Sequence, residues 1–374
     1  MLSSFKSEWK PFEDLARSFA AKELAGKTEE HDRYPFGEFF HDVLDKAYEV
    51  GFLGIMLPGE LGGAGGSIGT LCTVLAALCR VDGSPGGIVF TNALAQEILL
   101  AAGARDIAGE IFGKTTSAGG FLVAFPSYTH PSHQDNLPEY RRSGRGYTIT
   151  GTVDLLVLGG LARRAIVPAR NRSKQQHSFF LIDLDHEGVS KSEPVFTLGM
   201  HACPAVDVRL DRVRARLVGE EGKGGEYFDR VLPAMHIAAA AMNAGIMRGS
   251  LDEALAYARE RFQGGREIIR WSEVSMLLAG MAVKADAADM CVTLACQALE
   301  QGDPGWSSRC AAAALHIHEI ACEAVTDGVQ ILGGNGYMKD YGQEKRFRDA
   351  RQVQALLGSV PARKLDLIRK VSGV

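Results

Sequence analysis

Residues 330–352 read QILGGNGYMKDYGQEKRFRDARQ, and this stretch decides how the rest of the chain is interpreted. Its glycines at 333, 334 and 336 interrupt a helical pattern, and a run of charged residues follows them. Consecutive glycines mark a break between helices, and they also leave backbone N–H groups free to approach an anion. Just downstream, residues 354–365 read QALLGSVPARKL and contain no carboxylate. The stretch therefore predicts a helix, a glycine turn and a second helix, followed by a segment without a carboxylate.

The sequence around this stretch predicts a helical C-terminal domain. From residue 221 to residue 374 the apolar spacing is helical, with breaks at FQGGRE, at QGDPGWSS and at GGNGYMKDYG. Four long segments with short connections are typical of an antiparallel four-helix bundle.

Two further domains precede the predicted bundle. Residues 1–118 show apolar side chains at the i, i+3, i+4, i+7 spacing of helices with one buried face. Residues 119–220 change to strand period: Val206, Val208 and Leu210 alternate with charged residues. The sequence thus predicts an α+β protein in which an antiparallel β domain, a barrel or a sandwich, lies between two helical domains.

Composition excludes several classes of function. The chain has 374 residues, 46% hydrophobic and 23% charged, and its net charge of -4 includes no long block of one sign. Nucleic-acid binding and membrane insertion are therefore not expected. The charged N-terminal segment lacks the apolar stretch of a secretory signal, so we expect a soluble cytoplasmic protein. The seven cysteines show no C-x-x-C spacing, and we predict neither a metal site nor a disulfide framework.

The order of these domains and several strings resemble the acyl-CoA dehydrogenase family over essentially the whole chain. The most specific string is the opening one, which is similar to the family's Q-x-x-G-G-x-G-Y followed by E-R-x-x-R-D-A. YARERFQGGREI at 257–268 is similar to Y-x-x-x-R-x-Q-F-G-x-x-I. The resemblance implies FAD, commonly bound across a subunit interface, and desaturation of acyl-CoA thioesters between Cα and Cβ. In that chemistry a glutamate removes the α proton, and hydride passes to the flavin.

Both places where this family keeps its glutamate base are occupied by residues that cannot accept a proton. Leu357 lies where much of the family has the glutamate of E-G-T, and Met235 lies at the alternative position on the first bundle helix. Its neighbour His236 is a weak candidate for a displaced base, although a histidine on an alanine-rich helix is more often simply packed. Asp154 is a second weak candidate, and a strand-edge aspartate bonded to backbone or solvent is the simpler interpretation.

The family's flavin-ring contacts are also replaced. Leu155 and Val157 stand where the family has W-x-T/S, and Ala124 stands in the segment that contacts flavin and substrate. An indole face and a hydroxyl donor are both lost at these positions.

Residues that the family uses on a neighbouring subunit's FAD are, in contrast, largely present. Arg261 and Gln263 match R-x-Q-F-G, although Gly264 replaces the phenylalanine, and Gln330, Gly333 and Gly334 match Q-x-x-G-G. Gly358 and Ser359 keep the turn after the base position. The resemblance implies that these residues contact FAD. The alternative is that the glycines only let helices approach and that Arg261 pairs with a surface carboxylate.

This uneven pattern predicts the base-lacking subunit of a heterotetrameric acyl-CoA dehydrogenase, which completes a FAD site shared with an active partner. Its other expected partners are copies of itself, an acyl-CoA substrate and an electron-transfer flavoprotein. Two alternatives remain open at this point: a stand-alone FAD-dependent oxidoreductase with a relocated base, and a flavin-free scaffold or acyl-CoA-binding protein.

Overall fold

The computed structural model describes residues 8–33, 39–144, 146–171 and 176–373, so the first seven residues of the predicted N-terminal domain lie outside the described residues. Helices come first, strands occupy the middle and long helices follow. The helices are α1 Lys10–Phe19, α2 Thr28–Asp32, α3 His41–Glu49, α4 Ile68–Cys79, α5 Gly83–Ala101, α6 Arg105–Ile111, α7 Ala118–Phe121, α8 Gly224–Glu260, α9 Ser272–Gln301, α10 Trp306–Leu332, α11 Gln343–Gln354 and α12 Val360–Ser372. The strands are β1 Val123–Ala124, β2 Glu139–Ser143, β3 Gly146–Val157, β4 Arg164–Arg170, β5 His177–Asp183, β6 Val189–Lys191, β7 Ala205–Val218, β8 Phe262–Gln263 and β9 Arg266–Glu267. The predicted fold class, helices around a middle β domain, is confirmed.

Helices α4 and α5 form the inner layer of the N-terminal domain. Ser67 caps α4 by accepting a hydrogen bond from the N–H of Thr70 at 3.4 Å, and Asp82 caps α5 by accepting one from Ser84 at 2.8 Å. Nearly every residue of both helices is buried. A helix that is apolar all round must be covered on all sides, and α8 covers both of these helices.

The middle domain is a barrel whose strand pairings form a closed ring. The strand β4 pairs with β2, β2 with β3, β3 with β7, β7 with β5, and β5 again with β4. The prediction of an antiparallel domain needs a correction in detail, because β1 and β2 each run parallel to β4. Side-chain alternation has the same period in parallel and antiparallel strands, so the sequence pattern could not distinguish them.

The C-terminal domain has the predicted bundle arrangement, but two shorter helices take the place of the fourth long helix. Three long helices, α8, α9 and α10, pack on one another, and the fourth position is shared by α11 and α12. The break at 355–359 falls in the QALLGS segment. Within the described residues, no helix is both long and apolar enough to cross a membrane.

Candidate functional site

The loop between α11 and α12 places Leu357 in the interior of the molecule. Its side chain is 0% exposed, and its backbone is left-handed, with φ of 66°. A left-handed backbone costs a residue with a Cβ about 1–2 kcal/mol. The N–H of Leu357 donates a hydrogen bond to the carbonyl of Ser127 at 2.8 Å, which helps to hold this conformation. The loop therefore presents an alkyl side chain, not an acid, toward the β domain.

The structure brings the two rewritten β-domain segments together beside this loop. Phe125 and Val157 exchange backbone hydrogen bonds of 3.1 and 3.2 Å, and the segment of Ala124 and Phe125 leads directly to Ser127, which accepts from Leu357. Leu155 lies in an irregular part of the β3–β7 pairing with φ of 52°, and its N–H donates to the carboxylate of Asp207 at 2.8 Å.

Side chains fill the space around these segments. Ala124 and Leu357 are 0% exposed and Val157 is 1% exposed, whereas Leu155 is half-buried. The ring of Phe125 lies 5.9 Å from that of Phe179 and 6.2 Å from that of Phe228, measured between ring centroids. Residues that contact a flavin ring would face an accessible cavity in a structure without ligand. Ala124, Val157 and Leu357 face no accessible cavity, so the space that these three residues enclose does not fit the ring of a flavin.

Neither weak candidate for a relocated base lies in a suitable environment. Met235 is fully buried, and burial together with the positive charge of Arg363 lowers the pKa of His236 well below its usual value. Asp154 is exposed and lines an open cavity of about 260 Å³ with Gln134 and Thr152. Neither the buried, neutral histidine nor the solvated aspartate is placed to act as the base of this reaction.

The second group of predicted site residues lies together on the surface. Arg261, Gln263, Gln330, Gly333 and Gly334 are all exposed. A short hairpin of β8 and β9 carries Gln263, and its turn consists of two glycines with positive φ. Tyr257 joins the hairpin to the glycine turn after α10, because its carbonyl accepts from the N–H of Arg261 and its hydroxyl accepts from Asn335.

This surface has the chemistry of a site for a phosphorylated ligand with an aromatic base. Arg261 makes no ion pair with any residue that the structure describes, and a guanidinium donates two hydrogen bonds at fixed geometry to phosphate. Large apolar side chains are exposed on the same hairpin and on the glycine turn: Phe262 is 63% exposed, Tyr337 69% and Met338 49%. An exposed guanidinium and exposed aromatic side chains are the kinds of group that bind phosphate and stack on an adenine ring.

The remaining two predicted residues have structural roles in this chain. Gly358 is buried against His130 with φ of 112°, a conformation that strongly favours glycine. Ser359 caps α12, because its hydroxyl accepts a hydrogen bond from the N–H of Ala362 at 3.5 Å.

Sequence reasoning missed several residues around Leu357. Phe125 belongs to the rewritten segment of Ala124, but its aromatic partners Phe179 and Phe228 and the buried Arg363 belong to no motif. Their sequence separation hides the contacts, and only the strand pairings and helix packing bring them together.

Comparisons with known proteins agree over both helical domains. Residues 6–117 match the family described as acyl-CoA dehydrogenase, N-terminal domain, and residues 222–370 match acyl-CoA dehydrogenase, C-terminal domain. The chain is 30% identical to subunit CarC of the caffeyl-CoA reductase-Etf complex of Acetobacterium woodii, covering 93% of each chain. It is also 30% identical to the 3-(aryl)acrylate reductase of Clostridium sporogenes, covering 92% of this chain and 93% of that one.

A solved structure shows the same architecture. A chain in the structure of the electron transferring flavoprotein of Acidaminococcus fermentans superposes with a TM-score of 0.90 and 27% identity, over 99% of both chains. Members of the family matched by both helical domains bind FAD. The chain belongs to the acyl-CoA dehydrogenase family.

Proposed function

We propose that this chain is the base-lacking subunit of a heteromeric acyl-CoA dehydrogenase-family complex and that it completes the FAD site of an active partner subunit. The observation that carries the proposal is the contrast between the two halves of the candidate site. The half around Leu357 is apolar and closed, and the half around Arg261 is exposed and polar. A subunit that contributes only the second half needs a partner to supply the flavin-ring contacts and the base.

Surface properties of the bundle support an association between subunits. Met276, Val283, Met290 and Leu294 on α9 are between 48% and 69% exposed. Their spacing of seven, seven and four residues places them along one face of the helix. An apolar stripe of this length on an exposed helix is typical of packing against another helix.

The reaction of the complex is, in this proposal, oxidoreduction at the α,β carbon bond of an acyl-CoA thioester. The relatives from Acetobacterium woodii and Clostridium sporogenes are named as reductases, and the first as part of an Etf complex. An electron-transfer flavoprotein is accordingly the electron partner that we propose. When bound, FAD would accept or deliver the hydride, and Arg261, Gln263, Gln330, Gly333 and Gly334 of this chain would hold its diphosphate and adenosine part.

The test is co-expression with an acyl-CoA dehydrogenase-like chain that has an intact E-G-T and is encoded beside this one. We expect a stable mixed complex with flavin absorbance near one FAD per pair of chains, and no flavin on this chain when it is purified alone. A yellow homo-oligomer that reduces an acceptor with an acyl-CoA would contradict the proposal and favour the stand-alone enzyme. A mixture without flavin would favour the scaffold.

Substitution of Arg261 tests the contribution of this chain to the shared site. In the complex, Arg261→Gln should weaken FAD retention about tenfold or more, because a charge-assisted hydrogen bond contributes about 1.5–3 kcal/mol. Arg259→Gln, exposed two residues earlier on α8, is the matched control and should leave flavin content unchanged. Equal flavin content in both variants would remove Arg261 from the site.

A further inference from the structure

Arg363 is a buried guanidinium without a counter-ion. It lies in the first turn of α12, is 5% exposed, and donates from Nη1 to the carbonyls of Gln354 and Leu356 at 3.3 and 3.5 Å. Its Nε and Nη2 atoms have no partner, and no carboxylate of the described residues lies within ion-pair distance. Burial lowers the pKa of Arg363 to about 10, so the side chain is still charged at neutral pH.

Other buried polar atoms that have no partner among the described residues lie near this guanidinium, because burial and the positive charge of Arg363 lower the pKa of both His236 and His318. Asn243 on α8 bonds through Nδ2 to Nδ1 of His318 at 2.8 Å and to the carbonyl of Ala350 at 3.2 Å. Within the described residues, Asn243 Oδ1, His318 Nε2 and also His236 Nε2 have no hydrogen-bond partner. Five of the ten buried side-chain N and O atoms that lack a partner in the described part of the chain therefore belong to Arg363, His236, Asn243 and His318.

The free atoms are mostly donors, and their geometry suits a carboxylate. Nε and Nη2 lie on the same edge of the guanidinium plane, the edge that binds a carboxylate through two parallel hydrogen bonds. Because Nδ1 of His318 accepts from Asn243, the proton of the neutral ring lies on Nε2, which makes Nε2 a donor. Each buried unpaired donor costs about 1–3 kcal/mol, and a charged one costs more. An anion would satisfy several of these donors together and neutralise the guanidinium.

We propose that Arg363, His236 and His318 form a buried binding site for a small carboxylate of about the size of formate or acetate, between α8, α10 and α12. We limit the ligand to a small carboxylate because the residues of the site are enclosed, with His318 0% exposed and His236 7%. The site is separate from the surface around Arg261, and it does not depend on the proposed role in a complex.

The experiment measures the melting temperature of the full chain, in the assembly in which it purifies, against increasing sodium formate or acetate. Ionic strength is kept constant with sodium sulfate. A ligand that binds only the folded state raises the melting temperature with its concentration, as binding linkage requires. We expect this rise in the wild type and in Arg369→Met, a matched control because Arg369 on the same helix is 63% exposed. Arg363→Met should show no such rise.

Three further measurements make the test decisive. Without carboxylate, Arg363→Met should be at least as stable as the wild type, since it removes an unpaired buried charge. Ion chromatography of the denatured wild type should detect a carboxylate if it co-purifies. Arg363→Lys keeps the positive charge but lacks the two parallel N–H donors of the guanidinium, so it should bind formate or acetate about tenfold more weakly. The proposal fails if no carboxylate co-purifies and the melting temperature does not respond. It also fails if Arg363→Met responds like the wild type, or if chloride acts as well as formate.

Discussion

Leu357 shows most directly how one residue limits the chemistry of this chain. Leu357→Glu restores the family's acid, but it places a carboxylate where the side chain is 0% exposed, beside the equally buried Leu356. An unpaired buried carboxylate is destabilising, so we expect a loss of about 3 kcal/mol or more in the free energy of unfolding, together with no gain of flavin. Chemical denaturation and flavin absorbance measure the two outcomes.

Leu357→Met is the control for that change, because it conserves volume and polarity and should cost less than about 1.5 kcal/mol. If Leu357→Glu instead produced flavin binding and acyl-CoA-dependent activity, the closed arrangement around Ala124 and Phe125 could not describe the active molecule.

Lys345 is a second residue whose environment gives a clear prediction. Its ammonium group lies 2.7 Å from Asp82 and 2.6 Å from Asp349, and all three side chains are at most 8% exposed. Burial alone would lower the pKa of Lys345, but the two carboxylates outweigh it and raise the pKa. Lys345→Met leaves two buried carboxylates uncompensated and should cost about 3–5 kcal/mol of unfolding free energy. Lys339→Met, at an exposed position, should cost nothing measurable in the same denaturation experiment.

At the scale of elements, helix α2 is held to the bundle by ionic contacts. Asp32 accepts hydrogen bonds from the guanidinium of Arg348 on α11, and its carboxylate lies 3.0 Å from Nδ1 of His201. Burial alone would raise the pKa of Asp32, but His201 and Arg348 outweigh it and lower the pKa from 3.8 to about 2. The interaction with Asp32 also raises the pKa of His201 against the effect of burial.

These shifts predict how stability depends on pH. The contribution of Asp32 is present above its unfolded pKa and is lost as pH falls from about 4 to 2, whereas that of His201 is lost as pH rises through its raised pKa. The lowering of the Asp32 pKa from 3.8 to about 2 corresponds to about 2.5 kcal/mol of stability. At pH 5 to 6, the free energy of unfolding of Asp32→Asn should be lower than that of the wild type by this amount. As pH falls from about 4 to 2, the melting temperature of Asp32→Asn should decrease less steeply than that of the wild type. Glu30→Gln, exposed on the same helix, should keep the wild-type profile.

The elements differ in how far the sequence could predict them. The period of apolar residues was sufficient for the helices and for β7, and the resemblance placed Leu357 and Arg261 in opposite halves of a site. The irregular β3–β7 pairing at Leu155 and the parallel pairing of β1 with β4 depend on contacts between distant segments. The aromatic cluster and the environment of Arg363 could not be predicted for the same reason, because their neighbours come from different domains or helices. A local sequence pattern does not predict contacts between residues that are far apart in the sequence.

At the scale of the whole molecule, one group of candidate site residues is buried and the other group is exposed on the surface. The interior between the β domain and the bundle is filled by apolar and aromatic side chains, while Arg261, Phe262 and Tyr337 face outward without a covering element in the described chain. A molecule that acted alone would gain nothing from exposing these side chains. Their exposure, with the apolar stripe on α9, is what an assembly of subunits would cover.

The apolar stripe gives the prediction that belongs to this scale. Val283 is 69% exposed and lies between Met276 and Met290 on α9, so Val283→Glu would place a charge in the middle of the proposed contact without disturbing the core of the subunit. A charge desolvated in an apolar interface costs several kcal/mol, and about 3 kcal/mol corresponds to a more than 100-fold weaker association. Light scattering coupled to size exclusion should therefore show smaller species for Val283→Glu, whereas Gln301→Glu at the end of the same helix should keep the wild-type mass. Unchanged mass in both variants, with melting temperatures equal to the wild type, would mean that α9 remains exposed in the assembled protein and that another face joins the subunits.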